Sequence, residues 1–191
     1  MIKRYGASPQ AGRSYTRRPG VYAVLWDRGA ILTTFQAEPE PEYQLPGGGI
    51  DKGEHPIAAL HREVMEETGY HIAGIRRLGA FRRFTFMPEY DLWAEKICTV
   101  YLARPVLRIG QPTEPGHQAI WMQPEAGLRL LGNPGDRAML AKALRQMESG
   151  WGPRYSKINP DTSSGNTAPP AKVFRSHSKA SNRSWLCNLL L

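Results

Sequence analysis

A mixed α/β fold, one sheet with helices packed on its faces, is predicted for residues 20–148. Three observations lead to it. β-rich runs recur along the segment, a helix with its own start and stop signals lies among them, and an amphipathic helix closes it. In chain order, GVYAVLWDRGAILTTFQ holds two β-rich runs on either side of Asp27-Arg28-Gly29, the pattern of a hairpin. EPEPEYQLPGGG is rich in turn residues. HPIAALHREVMEETG reads as a helix, with Pro56 in its first turn and Gly69 just past its end. HIAGIRRLGAFRRFTF and KICTVYLARPVL are strand-like, and AIWM is a further short strand. NPGDRAMLAKALRQM closes the segment as an amphipathic helix.

The 191 residues suffice for one domain with a sizeable core, and no internal repeat divides them. The formal net charge of +8 is unevenly spread. Residues 151–191 carry six Lys or Arg against one acid, and the first 18 residues carry five basic groups and no acid. The part between is slightly acidic. Residues 1–19 read as a basic N-terminal segment and 149–191 as a basic, Ser/Pro/Asn-rich tail. With few apolar groups and no period, that tail cannot offset its ordering entropy by burial and is expected to be disordered. Neither end interleaves its charges with aromatics, so nucleic acid is not the favoured partner. No apolar run reaches the roughly 18 residues of a membrane span, and no apolar stretch follows the basic N-terminus as a secretory signal requires. Two cysteines, Cys98 and Cys187, give neither a disulfide framework nor a zinc spacing, and Cys98 reads as a small core residue. A cytoplasmic setting is the default expectation.

The chemistry concentrates on four acids, Glu54, Glu63, Glu66 and Glu67. Each helical residue advances by about 100°. With Glu63 at zero, Glu66 falls at roughly 300° and Glu67 at roughly 40°, so three carboxylates share one side. Ile57, Leu60 and Val64 cluster beside them on a face for the core. Like charges at these spacings destabilise a helix, and a hard dication with oxygen ligands relieves that repulsion. Arg62, four residues before Glu66, is placed to steady it by an ion pair. The preceding glycines, Gly47, Gly48 and Gly49, let the backbone turn or approach a ligand closely, and a helix N-terminus offers amides to phosphate.

The whole string GGIDKGEHPIAALHREVMEETGY places Gly48, Glu54, Arg62, Glu63, Glu66, Glu67 and Gly69 in one pattern, with Val64 at an aliphatic position. A chance match is on the order of 10⁻⁸ per starting position. Residues 48–70 resemble the complete Nudix box. Tyr70 stands where the family more often has an aliphatic residue. The resemblance implies an α/β/α sandwich with a mixed sheet and hydrolysis of a nucleoside diphosphate-linked substrate with Mg²⁺ or Mn²⁺. It makes Glu63, Glu66 and Glu67 metal ligands, gives Glu54 a supporting place at the metal or its waters, and makes Arg62 the group that orients the acids. Gly48 and Gly69 would shape the loop and end the helix. The general base is Glu63 or a glutamate from a later loop, for which Glu114 in QPTEPGHQAIW is the leading candidate and Glu95 and Glu125 are weaker ones.

The expected substrate is a small nucleotide: a nucleoside triphosphate, oxidised or not, or a nucleotide sugar such as ADP-ribose. Phe86, Tyr90 and Trp93 are candidates for base stacking, a task aromatic faces suit, although each also reads as a core or loop anchor. Pro88, eighteen residues past Tyr70, loosely resembles ADP-ribose hydrolases but is off their usual spacing, and no NADH-type SQPWPFP string follows the box. The alternatives are a pyrophosphohydrolase of RNA 5′ ends or dinucleoside polyphosphates, and a non-catalytic nucleotide-sensing Nudix module. The LPGGG stretch differs from the FPQGG-like lead-in of RNA 5′-pyrophosphohydrolases, and an intact acid cluster is a cost that a sensing module does not need.

Overall fold

A computed structural model of the chain describes residues 2–37 and 40–149. The expected disorder of the C-terminal tail falls on residues 151–191, which lie outside the described residues. The elements are β1 (Lys3–Arg4), β2 (Thr16–Asp27), β3 (Ala30–Gln36), β4 (Glu42–Gln44), β5 (Gly47–Gly49), α1 (Pro56–Thr68), β6 (Tyr70–Met87), β7 (Leu92–Arg108), β8 (His117–Met122), α2 (Pro124–Leu130) and α3 (Pro134–Glu148), with a 3-10 turn at Pro88–Tyr90.

The strands form one sheet in the order β1-β6-β7-β2-β3-β4, with β5 paired to β2 and β8 to β3. It is mixed: β2 lies parallel to β7, and β6 and β7 are antiparallel. β2 and β3 form the expected hairpin. Its turn uses Arg28 at φ 46° and Gly29 at φ 87°, and two positive φ values in succession suit the strand twist.

Both faces of the sheet are covered, so β2 carries an unbroken apolar run in place of an alternation of apolar and polar residues. Val21, Ala23 and Leu25 pack with Ala59, Leu60 and Val64 of α1. Tyr22 and Val24 point the other way, into a second core with Leu78, Phe81, Val100, Met139 and Leu140 of β6, β7 and α3. The result is the α/β/α arrangement. Cys98 is buried in the second core.

The sequence did not announce β1, the 3-10 turn or α2. β1 is two residues long, pairing Lys3 with Phe81 and Arg4 with Arg82 in parallel. α2 spans seven residues, too few to display a helical period. β2 starts at Thr16, inside the stretch read as a basic terminal segment. No helix among the described residues is long and apolar enough to cross a membrane.

Candidate active site

α1 crosses one face of the sheet and carries the acids. His55 caps it, its Nδ1 accepting from the Ile57 amide at 3.2 Å, with Pro56 filling the first helical position where no amide partner is needed. Gly69 ends it at φ 74°, its N–H donating to the Met65 carbonyl at 2.8 Å. A side chain at Gly69 would also strike the Gly110 carbonyl. That close approach lets the loop between β7 and β8 dock on the end of α1. There the amides of Thr113 and Glu114 donate to the Glu66 carbonyl at 2.7 and 3.0 Å.

Arg62 is the hub of the partly buried acids. Its Nε and one terminal nitrogen donate to the two oxygens of Glu54 at 3.0 and 2.9 Å. The other terminal nitrogen reaches Glu63 at 2.8 Å and Glu66 at 3.2 Å. A further bond to the Gly49 carbonyl at 3.1 Å ties the fork to the glycine strand. The bond from Arg62, with help from the Asp51 amide, holds the Glu54 carboxyl down at about 2. Glu54 in return holds Arg62 still more firmly in its charged form. In this arrangement Glu54 anchors Arg62, and Arg62 positions Glu63 and Glu66.

Glu67 is on the inward flank of α1 and is buried. One carboxylate oxygen accepts from the Gly47 amide at 2.9 Å, and the other faces Nε2 of His117 at 3.5 Å. Burial pushes its carboxyl up to about 8, opposed by the Gly47 amide and reinforced by the charges of Glu63 and Glu114. Burial raises Glu63 as well, with Arg62 opposing and Glu66 and Glu114 adding to the rise. Two of the three glycines beside these acids are closely packed. All three form β5 as a strand along β2, where the sequence showed only turn character. A Cβ at Gly47 would enter the Val21 carbonyl, and one at Gly48 would enter the Glu63 carboxylate.

These groups line a cleft of about 460 Å³ that includes Gly47, Gly48, Gly49, Glu63, Glu67, Glu114 and His117. Glu114 therefore shares the cleft with Glu63 and Glu67. Glu95 instead pairs with Arg82 at 3.2 Å, and Glu125 sits exposed in the first turn of α2, so neither borders the cleft. The three aromatics divide. Tyr90 lines the cleft, whereas Trp93 packs against Phe86 and Tyr15, at 5.3 and 6.2 Å between ring centroids. His117, Arg17, Arg18 and Lys96 border the cleft without having been singled out in the sequence. His117 had one usable signal, its place three residues after Glu114 in the same loop.

Among the described residues no three His, Cys, Asp or Glu side chains stand together closely enough to hold a metal ion as they are. The chemistry of the donors nonetheless suits a divalent metal. They are hard carboxylate oxygens, and the charges of Glu63 and Glu114 add to the rise that burial imposes on Glu67, a cost that a bound cation would relieve.

The comparisons with known proteins agree with this geometry. The NUDIX domain family matches residues 16–143. Among curated proteins, the chain is 31% identical over 74 residues to a putative 8-oxo-dGTP diphosphatase of Bacillus subtilis, covering 39% of this chain and 50% of that one. It is 36% identical over 84 residues to an RNA pyrophosphohydrolase of Halorhodospira halophila, covering 44% and 41%. The chain thus spans half or less of the length of these curated relatives. A NUDIX hydrolase structure from Nitrosomonas europaea superposes with a TM-score of 0.57 at 18% identity, over 68% of this chain and 90% of that one. A MutT protein structure from Bacillus halodurans gives 0.55 at 21%, over 66% and 82%. At such identities the structures speak for the fold alone. A family match across β2 to α3, on a fold those structures share and with the box lying on β5 and α1, makes the chain a member of the Nudix family.

Proposed function

We propose that this protein hydrolyses a phosphoanhydride bond of a nucleotide substrate with Mg²⁺ or Mn²⁺. The observation that carries the reading is the set of Glu63, Glu67 and Glu114 on one cleft, where the charge of Glu114 and their own desolvation both raise Glu63 and Glu67. Such a set is costly unless a cation joins it. Glu63, Glu66 and Glu67 would hold the metal, with Glu54 acting through Arg62. Once bound, a divalent ion neutralises phosphate charge and makes a bound water more acidic.

The protein's own groups have defined tasks. Arg62 keeps Glu63 and Glu66 aimed, and the Gly47 amide fixes the rotamer of Glu67. Glu114, or Glu63 in its place, takes the proton of the attacking water at a carboxylate oxygen. The water oxygen bonds to phosphorus, the bridging P–O bond breaks, and the leaving phosphate departs in line.

The first substrates to consider are a nucleoside triphosphate, oxidised or not, and a nucleotide sugar such as ADP-ribose. A second reading, a pyrophosphohydrolase of RNA 5′ ends, draws support from the RNA pyrophosphohydrolases among the relatives. Phosphate and pyrophosphate release from NTPs, 8-oxo-dGTP, ADP-ribose, diadenosine polyphosphates and 5′-triphosphorylated RNA, with Mg²⁺ and with EDTA, tests both. Metal-dependent cleavage that Glu63→Gln abolishes is the expected result. Metal binding without turnover of any of them would favour a nucleotide-sensing module.

A further inference from the structure

The same cleft that holds the glutamates is also lined by cations. Arg17 and Arg18 contribute from the start of β2, Lys52 from the loop before α1, and Lys96 from β7. The strand that brings in the two arginines is firmly placed. Thr16, Arg17 and Arg18 pair in parallel with Ala94, Glu95 and Lys96. Just before them, Tyr15 packs edge-on against Phe84 at 4.8 Å and against Trp93, and the Arg13 guanidinium lies over the Trp93 ring at 3.8 Å. The Arg18 guanidinium lies over the Tyr90 ring at 4.5 Å, on the 3-10 turn that tips the β6–β7 hairpin. An arginine stacked on a ring and tethered by strand pairing loses little freedom when it meets an anion.

A divalent metal on Glu63, Glu66 and Glu67 would already answer the charge of a bridging diphosphate, so these cations call for further negative charge. A diphosphate esterified at both ends has none to offer beyond its bridge. A terminal phosphate carries about −1.5 to −2 near pH 7 and presents three acceptor oxygens. That is the group an arginine fork recognises with paired hydrogen bonds.

We propose that Arg17, Arg18 and Lys52 form a second anion site that receives the terminal phosphates of a 5′-triphosphate, and that this site makes the protein select 5′-triphosphates over diphosphates capped at both ends. Tyr90 is a positioning residue that holds Arg18. The proposal rests on the hydrolase reading for the location of the reacting phosphates. Free nucleotides and RNA 5′ ends both supply the group.

The test is equilibrium binding by calorimetry in Mg²⁺. The ligands are an ATP analogue with methylene groups in both phosphate bridges, ADP-ribose, and a short oligonucleotide with a 5′-triphosphate. The expected result is that Arg17→Ala with Arg18→Ala weakens the ATP analogue by about tenfold or more, the scale of losing charge-assisted hydrogen bonds. ADP-ribose should change less than about threefold on the same scale. Tyr90→Ala should weaken the analogue and Tyr90→Phe should not. Thermal melts that match the parent separate these losses from unfolding, and Arg18→Lys, which keeps the charge, should recover part of the affinity. Equal losses for both ligands, or none for the analogue, overturn the proposal. An arginine-dependent gain seen with both the analogue and the oligonucleotide supports it with free nucleotide as a sufficient source; a gain seen with the oligonucleotide alone supports it with RNA as the source. Turnover is read separately on the parent protein. Metal-dependent cleavage of ADP-ribose without arginine-dependent triphosphate binding leaves the hydrolase standing and removes the second site. Arginine-dependent binding without any cleavage does the reverse.

Discussion

The two faces of the sheet each bury one acid, and both acids reach the same short stretch of chain. On the α1 face, Glu67 accepts from the Gly47 amide at 2.9 Å. On the α3 face, Asp136 accepts from the Leu45 amide at 3.5 Å. Burial raises both, Glu67 to about 8 and Asp136 to about 6. Their surroundings then diverge. Asp136 lies in the first turn of α3, where the helix end favours negative charge, and the charge of Arg83 is the largest influence opposing its rise. The void it shares with Tyr22, Arg83, Cys98 and Asn133 is about 10 Å³, the room of a single water. Glu67 has Glu63 and Glu114 for neighbours, both adding to its rise, and an open cleft in front of it. An acid compensated by its own protein holds the fold. One surrounded by further acids at an open cleft suits a cation from outside.

The largest effect expected from this contrast is on turnover. Glu67→Gln keeps the shape and removes the charge, so metal-dependent hydrolysis should fall by about 10²-fold or more. In EDTA the same variant should be no less stable than the parent. Glu67 has a folded value above its unfolded one, so its contribution to stability is complete below about pH 4 and is lost as pH rises through about 8. The glutamine avoids that loss, and urea midpoints near pH 8 should be higher in the variant. A destabilised variant with near-normal turnover would make Glu67 the structural acid of the two.

Asp136→Asn should behave in the opposite way for activity, with kcat/KM within about twofold of the parent, because its hydrogen bond goes to the Leu45 amide and it does not itself line the cleft. Asp136 too is raised, so its contribution is lost as pH climbs from about 4 through about 6. The variant should flatten the urea-midpoint curve across that window by roughly 2 to 3 kcal/mol. Loss of turnover without a change in that curve would break the division between the faces.

Much of the site was legible because it is local. Glu63, Glu66, Glu67 and Arg62 lie on one helix, and their spacing brings them together whatever the sheet does. The helical wheel did not reveal which flank would be covered. It grouped three acids on one side, but Glu67 turns inward because Gly47 and His117 meet it there, and those contacts come from distant parts of the chain. The same limit hid Arg17 and Arg18. They fell in the stretch read as a basic N-terminal segment, and pairing with β7 brings them to the cleft. The fold class was legible from periodicity. The layering of β2 between two cores was not, because an unbroken apolar run does not say which residue faces which helix.

Two glycines sharpen the contrast at smaller scale. At Gly135 a Cβ would enter the ring of Phe81, which is fully buried, so Gly135→Ala should cost about 1–3 kcal/mol of stability while the folded protein keeps its turnover. At Gly48 the obstruction is the Glu63 carboxylate, the end of a flexible side chain. Gly48→Ala should therefore move that carboxylate, lowering turnover with a change in melting of less than about 1 kcal/mol. The smallest difference in location, within a single helix, is along α1. The helical wheel set Ile57 beside Leu60 and Val64 on the core face, but Ile57 is only partly buried, while Leu60 is 0% exposed. Leu60→Ala should cost about 2–5 kcal/mol and Ile57→Ala about 1 kcal/mol or less, read from urea midpoints. Equal losses would mean that α1 packs along its whole length as the wheel predicts. An unequal pair would mean that the helix is held to the sheet through Leu60 and Val64 more than through its first turn.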